Sequence, residues 1–236
     1  MRWILVPIAL LIAGCETTTT SGTAPQPAPV AQTPTRAISA GEANRLLAPV
    51  KARVEPVAER ECRARTQGRV NCDYAISVDS RPNQPANAYQ TLDKSGRPLI
   101  VFTSALIAQT RNPDELAFVM GHEAAHHVAG HIGRSQQDAA AGAILGAVLV
   151  GLAGGSGEML DLAMNVGADV GSRSFSKNYE LEADALGTVI AHKAGYNPVR
   201  GAEFFNRIPD PGDQFLGTHP PNASRMQIVR QTAAKL

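Results

Sequence analysis

The fold and chemistry of this chain are decided by the stretch His122-Glu123-Ala124-Ala125-His126, an HExxH motif inside an apolar segment with a helical pattern. Positions four apart share one face of a helix, so the two imidazoles can bind one Zn²⁺ ion. Glu123 follows the first histidine and can serve as a general base. The alternative is a chance match in a histidine-rich surface helix, because His127 and His131 lie nearby. The motif predicts a zinc hydrolase with one ion per chain.

The segment before the motif favours a buried helix. It begins with Asn112-Pro113-Asp114-Glu115, which combines a capping residue, a proline suited to the first turn and two acids that complement the helix dipole. The apolar run from Leu116 to Met120 then leads into the motif. Gly130 and Gly133 mark the predicted end of the helix. A solvated histidine-rich face would not need this apolar run.

A catalytic zinc ion needs a third protein ligand. The metzincin pattern fails, because Ala129 and Ile132 occupy the positions of its glycine and its third histidine. His131 lies nine residues after His122, on the opposite face of an ideal helix. It cannot complete the site unless the helix breaks, and we therefore reject it as a ligand.

The remaining candidate is an acidic helix, residues 178–187. Glu180 and Asp184 are four positions apart and share a face, whereas Glu182 points elsewhere and is the competing ligand. We assign Glu180 as the third ligand and Asp184 as the carboxylate that orients a ligand histidine through its other ring nitrogen. The alternative is an acidic helix that faces solvent.

The HExxH motif is followed about fifty residues later by an ExEADxxG segment, Glu180 to Gly187. This pair resembles the zinc metallopeptidase family that contains HtpX and the CAAX prenyl proteases, peptidase family forty-eight of the metallopeptidases. Shorter segments match in order between roughly residues 43 and 230: Asn87-Ala88-Tyr89, Leu99 to Thr103, Asp114 to Ala117, Thr218-His219-Pro220 and Arg225. The resemblance implies zinc ligands His122, His126 and Glu180, the general base Glu123 and the supporting carboxylate Asp184.

His219 resembles a family histidine near the metal that assists the transition state or occupies the open coordination position. In the second case the isolated enzyme would be latent. The alternative is a histidine in a surface loop. The chain departs from the family at Ser176-Lys177, where members often have Ser-Arg. Lysine lacks the planar fork with which arginine binds a carboxylate or oxyanion at two points. The resemblance therefore does not imply that Lys177 performs the role of the family arginine.

Residues 89–92 and 99–103 predict a β-hairpin around the turn 93–96. One of its edges could hold an extended peptide substrate, which would give broad specificity and a preference for unfolded chains. A purely structural hairpin is an equal alternative. Residues 43–65 have a helical pattern, and Pro49 and Pro56 predict a bend or an interruption in it.

The first fifteen residues resemble a bacterial lipoprotein signal peptide. Arg2 precedes an apolar run that ends in Ile12-Ala13-Gly14-Cys15 and is too short to span a membrane. We predict a signal peptide over residues 1–14, a lipidated Cys15 with a disordered tether over 15–36, and one catalytic domain over 37–236. Glu16, rather than the usual inner-membrane aspartate, weakly favours the outer membrane over the inner one.

Two cysteines remain in the predicted domain, Cys62 and Cys72, and an oxidising periplasm permits a disulfide between them. We predict this disulfide; the alternative is a pair of buried thiols. Residues 139–155 form an uncharged run of small and apolar residues. They predict a helical hairpin or a mobile flap near the cleft, and membrane contact is the second interpretation. The net charge of +1 and the 5% aromatic content argue against nucleic acid as a partner.

These features predict an α+β, mainly α, zincin-type domain with an HExxH helix, a glutamate-ligand helix and a small β-sheet. The predicted function is a periplasm-facing zinc endopeptidase for unfolded or damaged envelope proteins. Its partners would be protein or peptide substrates, the membrane through the N-terminal lipid, and envelope proteins. The alternatives are a latent or inactive zinc-binding chaperone or scaffold and a cell-wall peptide hydrolase.

Overall fold

The computed structural model describes residues 37–174, 176–210 and 220–236. The predicted signal peptide, Cys15, the tether and His219 lie outside these residues. The described part is mainly helical and has one small sheet, which confirms the predicted fold class. Its elements are, in order, α1 (Ala40–Thr66), β1 (Ala75–Asp79), β2 (Ala88–Leu92), β3 (Pro98–Thr103), α2 (Ser104–Gln109), α3 (Pro113–Val128), α4 (His131–Leu152), α5 (Gly157–Ser174), α6 (Ser176–Lys193), α7 (Pro198–Ala202), a 3₁₀ helix (Glu203–Asn206) and α8 (Asn222–Ala233).

Helix α1 continues through both of its prolines. Pro49 and Pro56 lie inside one helix of 27 residues, so the predicted interruption is wrong, and the alternative, a bend, stays a prediction. Each proline removes one backbone donor, but the buried face continues past both of them through Val50, Val54 and Val57. Packing of this face against the core therefore outweighs the local preference of proline to end a helix.

The predicted disulfide joins the last turn of α1 to the segment before β1. Cys62 and Cys72 are bonded, with their Cα atoms 5.8 Å apart, and both residues are buried. Nearby, Tyr74 donates a hydrogen bond of 3.1 Å from its hydroxyl to the carbonyl of Ala124 on α3. The disulfide therefore restrains a segment that packs directly against the HExxH helix.

Replacing both cysteines, Cys62→Ala with Cys72→Ala, should lower the free energy of unfolding by about 2–3 kcal/mol. The reason is that a bond across ten positions removes conformational entropy from the unfolded chain. Urea unfolding without reductant measures the loss, and the parent protein should fall to the same midpoint when reductant is added. Equal midpoints for parent and variant without reductant would contradict this prediction.

The sheet has the order β1-β3-β2, with β3 in the centre. Strands β2 and β3 pair antiparallel, which confirms the predicted hairpin, and β1 pairs parallel with β3. In the turn, the carboxylate of Asp93 accepts hydrogen bonds from the backbone N–H groups of Ser95 and Arg97 at 2.7 and 3.0 Å. Ile100 and Phe102 of β3 are fully buried, so the central strand forms part of the core.

Helices α4 and α5 form a hairpin, as the first interpretation of residues 139–155 predicts. Their backbones touch at four glycines, Gly142, Gly146, Gly167 and Gly171, where a Cβ atom would lie 1.9–2.1 Å from a carbonyl oxygen of the other helix. Large apolar side chains remain exposed along both helices, including Ile144, Leu145, Leu149, Leu152, Met159 and Leu162. In the described part of the chain, no helix combines the length and the apolar character needed to cross a membrane.

Candidate metal centre

The start of α3 agrees with its sequence pattern. The side-chain oxygen of Asn112 accepts a hydrogen bond from the backbone N–H of Glu115 at 3.2 Å. The carboxylate of Glu115 is buried, accepts from the backbone N–H of Arg111 at 2.9 Å and pairs with Arg207 at 2.6 Å. These contacts hold the first turn, and the apolar residues that follow are buried up to the motif, apart from the half-buried Val119.

Helices α3 and α6 approach each other through two glycines. A Cβ atom at Gly121 would lie 2.8 Å from the carbonyl oxygen of Gly187, and a Cβ atom at Gly187 would lie 2.8 Å from the backbone nitrogen of His122. No side chain fits between the two backbones at this point. The contact brings Glu180, two turns earlier on α6, to the histidines of α3.

The variant Gly187→Ala should destabilise the fold by about 1–3 kcal/mol and weaken metal binding, because the added methyl group must push α6 away from His122. Chemical denaturation and titration of the metal-free protein with metal measure the two effects. Gly133→Ala on α4 is the matched control, because no atom of the described residues lies within 4 Å of its Cβ position. A Gly187→Ala variant that matches this control in both measurements would show that the close approach is not required.

Three side chains of α3 and α6 point at one position. The Nε2 atoms of His122 and His126 are 3.0 Å apart, and the two carboxylate oxygens of Glu180 lie 3.5 Å and 3.3 Å from them. Donors about 2.1 Å from a tetrahedral metal ion lie about 3.4 Å from one another, so these three side chains fit a single ion. Two imidazoles and a carboxylate also form a donor set used by catalytic metal sites.

His122 is supported from its other ring nitrogen. Its Nδ1 atom lies 2.9 Å from the carboxylate of Asp184, which is fully buried. Burial disfavours a charged His122, but the carboxylates of Asp184 and Glu180 outweigh this effect and raise its pKa to about 10. A metal ion that binds here must therefore displace a proton from His122.

Arg225 on α8 holds the carboxylate of Asp184 in place. The sequence motifs predicted no role for this residue. Its Nε and Nη2 atoms each donate to the carboxylate of Asp184 at 2.7 Å, and its guanidinium stacks 3.8 Å from the ring centre of Phe205. Burial by itself would raise the pKa of Asp184, but the hydrogen bonds from Arg225 and His122 outweigh it and lower this pKa. The only signal in the sequence is that Arg225 belongs to a matching segment.

His131 does not join the group of three donors, but it lies against one of them. The helix breaks after α3, and Gly130 has a φ of +66° in the left-handed region that favours glycine. His131 then turns back, with its Nδ1 atom 2.8 Å from Nδ1 of His126. Burial lowers the pKa of His131 to about 4. The ideal-helix argument could not predict this contact, because it assumes a continuous helix.

The other predicted residues occupy separate positions. Glu123 lies on α3 between the two histidines and is partly exposed. Glu182, the competing ligand, accepts hydrogen bonds from Arg134 at 2.7 Å and contacts His131 at 3.2 Å, so it faces away from the three donors. His127 contacts the carbonyl of Asn71 at 2.7 Å instead of the donor group. His219 and Cys15 lie outside the described residues.

Comparison with known proteins finds similarity to several proteases. A beta-barrel assembly-enhancing protease of Escherichia coli (strain K12) is 29% identical over 150 residues, which cover 58% of this chain and 31% of that protein. The mitochondrial metalloendopeptidase OMA1 of Arabidopsis thaliana is 31% identical over 137 residues, 56% of this chain and 27% of that protein. OMA1 of Saccharomyces cerevisiae is 26% identical over 175 residues, 69% of this chain and 48% of that protein.

This chain therefore spans between about a quarter and a half of the length of these relatives. Peptidase family M48 matches residues 48–233, from the third turn of α1 to the end of α8. The matched region contains every element that builds the group of three donors. With most of its length matched, the chain belongs to peptidase family M48, whose members are metal-dependent peptidases.

Proposed function

We propose that this chain is a zinc endopeptidase in which His122, His126 and Glu180 hold the ion. The observation that supports the proposal best is the set of donor distances, 3.0–3.5 Å, on two helices in direct backbone contact. When bound, zinc supplies Lewis acidity, which lowers the pKa of water towards ~7 and polarises the scissile carbonyl. Asp184 and Arg225 keep His122 oriented, so the donors do not need to rearrange on binding.

In this proposal Glu123 is the general base. It lies in the same helical turn as both histidines and is partly exposed, so it can reach water and substrate. Its carboxylate takes a proton from the attacking water and later delivers it to the leaving amine. The reaction is hydrolysis of a peptide bond without a covalent acyl-enzyme.

The proposed substrate is an extended polypeptide. Strand β2 is at the edge of the described sheet and packs against α3, the helix that carries the HExxH motif. A substrate that adds to this edge is recognised mainly through its backbone. Such recognition favours unfolded chains over one defined sequence.

The proposed location is the bacterial cell envelope, with the domain held to a membrane through a lipid on Cys15 and facing the periplasm. This part of the proposal rests on the first fifteen residues, and Glu16 favours the outer membrane. The substrates would then be unfolded or damaged envelope proteins. The proposed role is protein quality control; the Escherichia coli relative is, by its name, a protease that enhances beta-barrel assembly.

His219 is proposed to act at the same centre. The variant His219→Ala separates two roles, with metal content measured alongside cleavage. Faster proteolysis would assign it to the open coordination position as an inhibitory ligand. Lost proteolysis with zinc retained would assign it to the transition state.

The function is tested with the full chain in detergent by measuring metal content and cleavage of unfolded casein. We expect one zinc ion per chain and cleavage that stops with a chelator and returns with added zinc. Zinc without cleavage of any substrate would favour the chaperone or scaffold. Cleavage of cross-link peptides but not of casein would favour the cell-wall hydrolase, and a chain without zinc would overturn the proposal.

A further inference from the structure

A second series of contacting polar side chains leads away from the metal centre. It starts at His126, whereas the series through Asp184 and Arg225 starts at His122. Nδ1 of His131 lies 2.8 Å from Nδ1 of His126, and Nε2 of His131 lies 3.2 Å from the carboxylate of Glu182. Arg134 donates to the same carboxylate oxygen at 2.7 Å. The His131 side chain is only 5% exposed, so water has little access to its contact with His126.

The direction of these hydrogen bonds follows from the position of the metal centre. Nε2 of His126 faces His122 and Glu180, so a metal ion would take this nitrogen and leave the ring proton on Nδ1. Nδ1 of His126 must then donate, and Nδ1 of His131 must accept. A neutral imidazole carries one ring proton, so His131 holds its proton on Nε2, which faces Glu182.

We propose that His131 is a positioning residue for His126, and that Glu182 fixes the tautomer of His131. The inference rests on the proposed zinc site and extends it. Asp184 supports His122 directly, whereas the carboxylate that supports His126 acts through a second imidazole. Carboxylate support of this kind holds the ring orientation and increases the basicity of a ligand histidine. Arg134 holds Glu182 at the outer end of this series.

A purely structural role for His131 is the competing explanation. Its ring stacks on Tyr179, with centroids 4.7 Å apart and an angle of 19° between the planes. An aromatic ring without nitrogen would keep this stacking but could not accept the proton of His126. The variants His131→Phe and His131→Asn therefore separate the two roles, because asparagine loses the ring and keeps an acceptor near the position of Nδ1.

The test uses the full chain in detergent and measures the zinc dissociation constant by competition with a chelator. We expect His131→Phe to weaken zinc binding by about 10–100-fold and His131→Asn to weaken it less. At saturating zinc, kcat for a casein-derived peptide should fall in His131→Phe while KM stays near the parent value. The surface variant Glu59→Ala, which breaks an exposed pair with Arg63, is the control and should match the parent.

Long-range ¹H–¹⁵N correlation spectra of the zinc-loaded parent protein provide a second readout. This measurement needs no variant, so it does not depend on whether a variant folds. We expect His131 to be the Nε2–H tautomer and His126 the Nδ1–H tautomer. An Nδ1–H tautomer for His131, or parental zinc affinity in a folded His131→Phe variant, would overturn the positioning role alone. A parent that binds no zinc would overturn the proposed function, and the positioning role with it.

Discussion

Glu123→Gln should lower kcat/KM for casein-derived peptides by about 10²–10⁴-fold, the contribution typical of a positioned general acid–base group. The amide has nearly the same size and shape as the carboxylate, but it cannot take a proton from water. Because the group acts in the transition state, we expect the loss in kcat with little change in KM. Zinc content should stay at one per chain, since Glu123 is not one of the three donors.

The control for this prediction is Glu203→Gln, which changes an exposed glutamate of the 3₁₀ helix far along the chain from the motif. It should retain the parent activity and metal content. Steady-state kinetics and metal analysis on the same preparations give both readouts. A Glu123→Gln enzyme with more than about a tenth of the parent activity would exclude Glu123 as the general base.

Arg225→Met should lower the free energy of unfolding of the metal-free protein by about 3–5 kcal/mol, the usual cost of removing one partner of a buried ion pair. Arg225 donates two hydrogen bonds of 2.7 Å to Asp184, and the exposed fractions of these residues are 7% and 0%. Methionine fills the space of the side chain but leaves the carboxylate in the interior without its main partner. Urea unfolding in the presence of a chelator measures the loss.

The same variant should unfold at a higher pH when the protein is acidified. In the parent, the folded-state pKa of Asp184 lies below its ordinary value. Its ionisation therefore contributes stability above a pH of about 4, and the contribution is lost as the pH falls through the lower folded-state pKa. Without Arg225 this pKa rises, so ionised Asp184 contributes less stability, and the less stable variant reaches its unfolding midpoint at a higher pH.

Arg63→Met is the matched control, because Arg63 forms an exposed pair with Glu59 at 3.4 Å. Exposed pairs contribute about 0–1 kcal/mol, so both its unfolding midpoint in urea and its acid midpoint should stay close to those of the parent. Equal stability of Arg225→Met and Arg63→Met would mean that the buried pair contributes nothing to the fold.

The local features of the centre follow from the sequence. A helix repeats every 3.6 residues, so the spacing of His122 and His126 places both rings on one face without tertiary information. The same periodicity places the side chains of Glu180 and Glu182 on different faces of α6. Asn112 predicts the first residues of α3, because its side chain caps the backbone donors of its own first turn.

Other features depend on contacts between distant segments. No residue pattern near β1 or β3 predicts that these two strands pair in parallel. β2 lies between them in the sequence, and β1 could join either edge of the β2–β3 hairpin. Helix α1 continues through Pro49 although local propensity opposes it, since burial of its apolar face depends on the rest of the core. Local propensity and periodicity do not predict such pairings.

The sequence by itself predicted the motif helix, the glutamate helix and the three donor residues, because the spacing within each helix decides which of its side chains share a face. Only the tertiary structure decided how the donors are supported. Gly121 and Gly187 set the distance between α3 and α6, α8 brings Arg225 to Asp184, and the turn at Gly130 returns His131 to His126. These contacts depend on how separate helices pack, and the periodicity of one helix carries no information about the neighbour that it will meet.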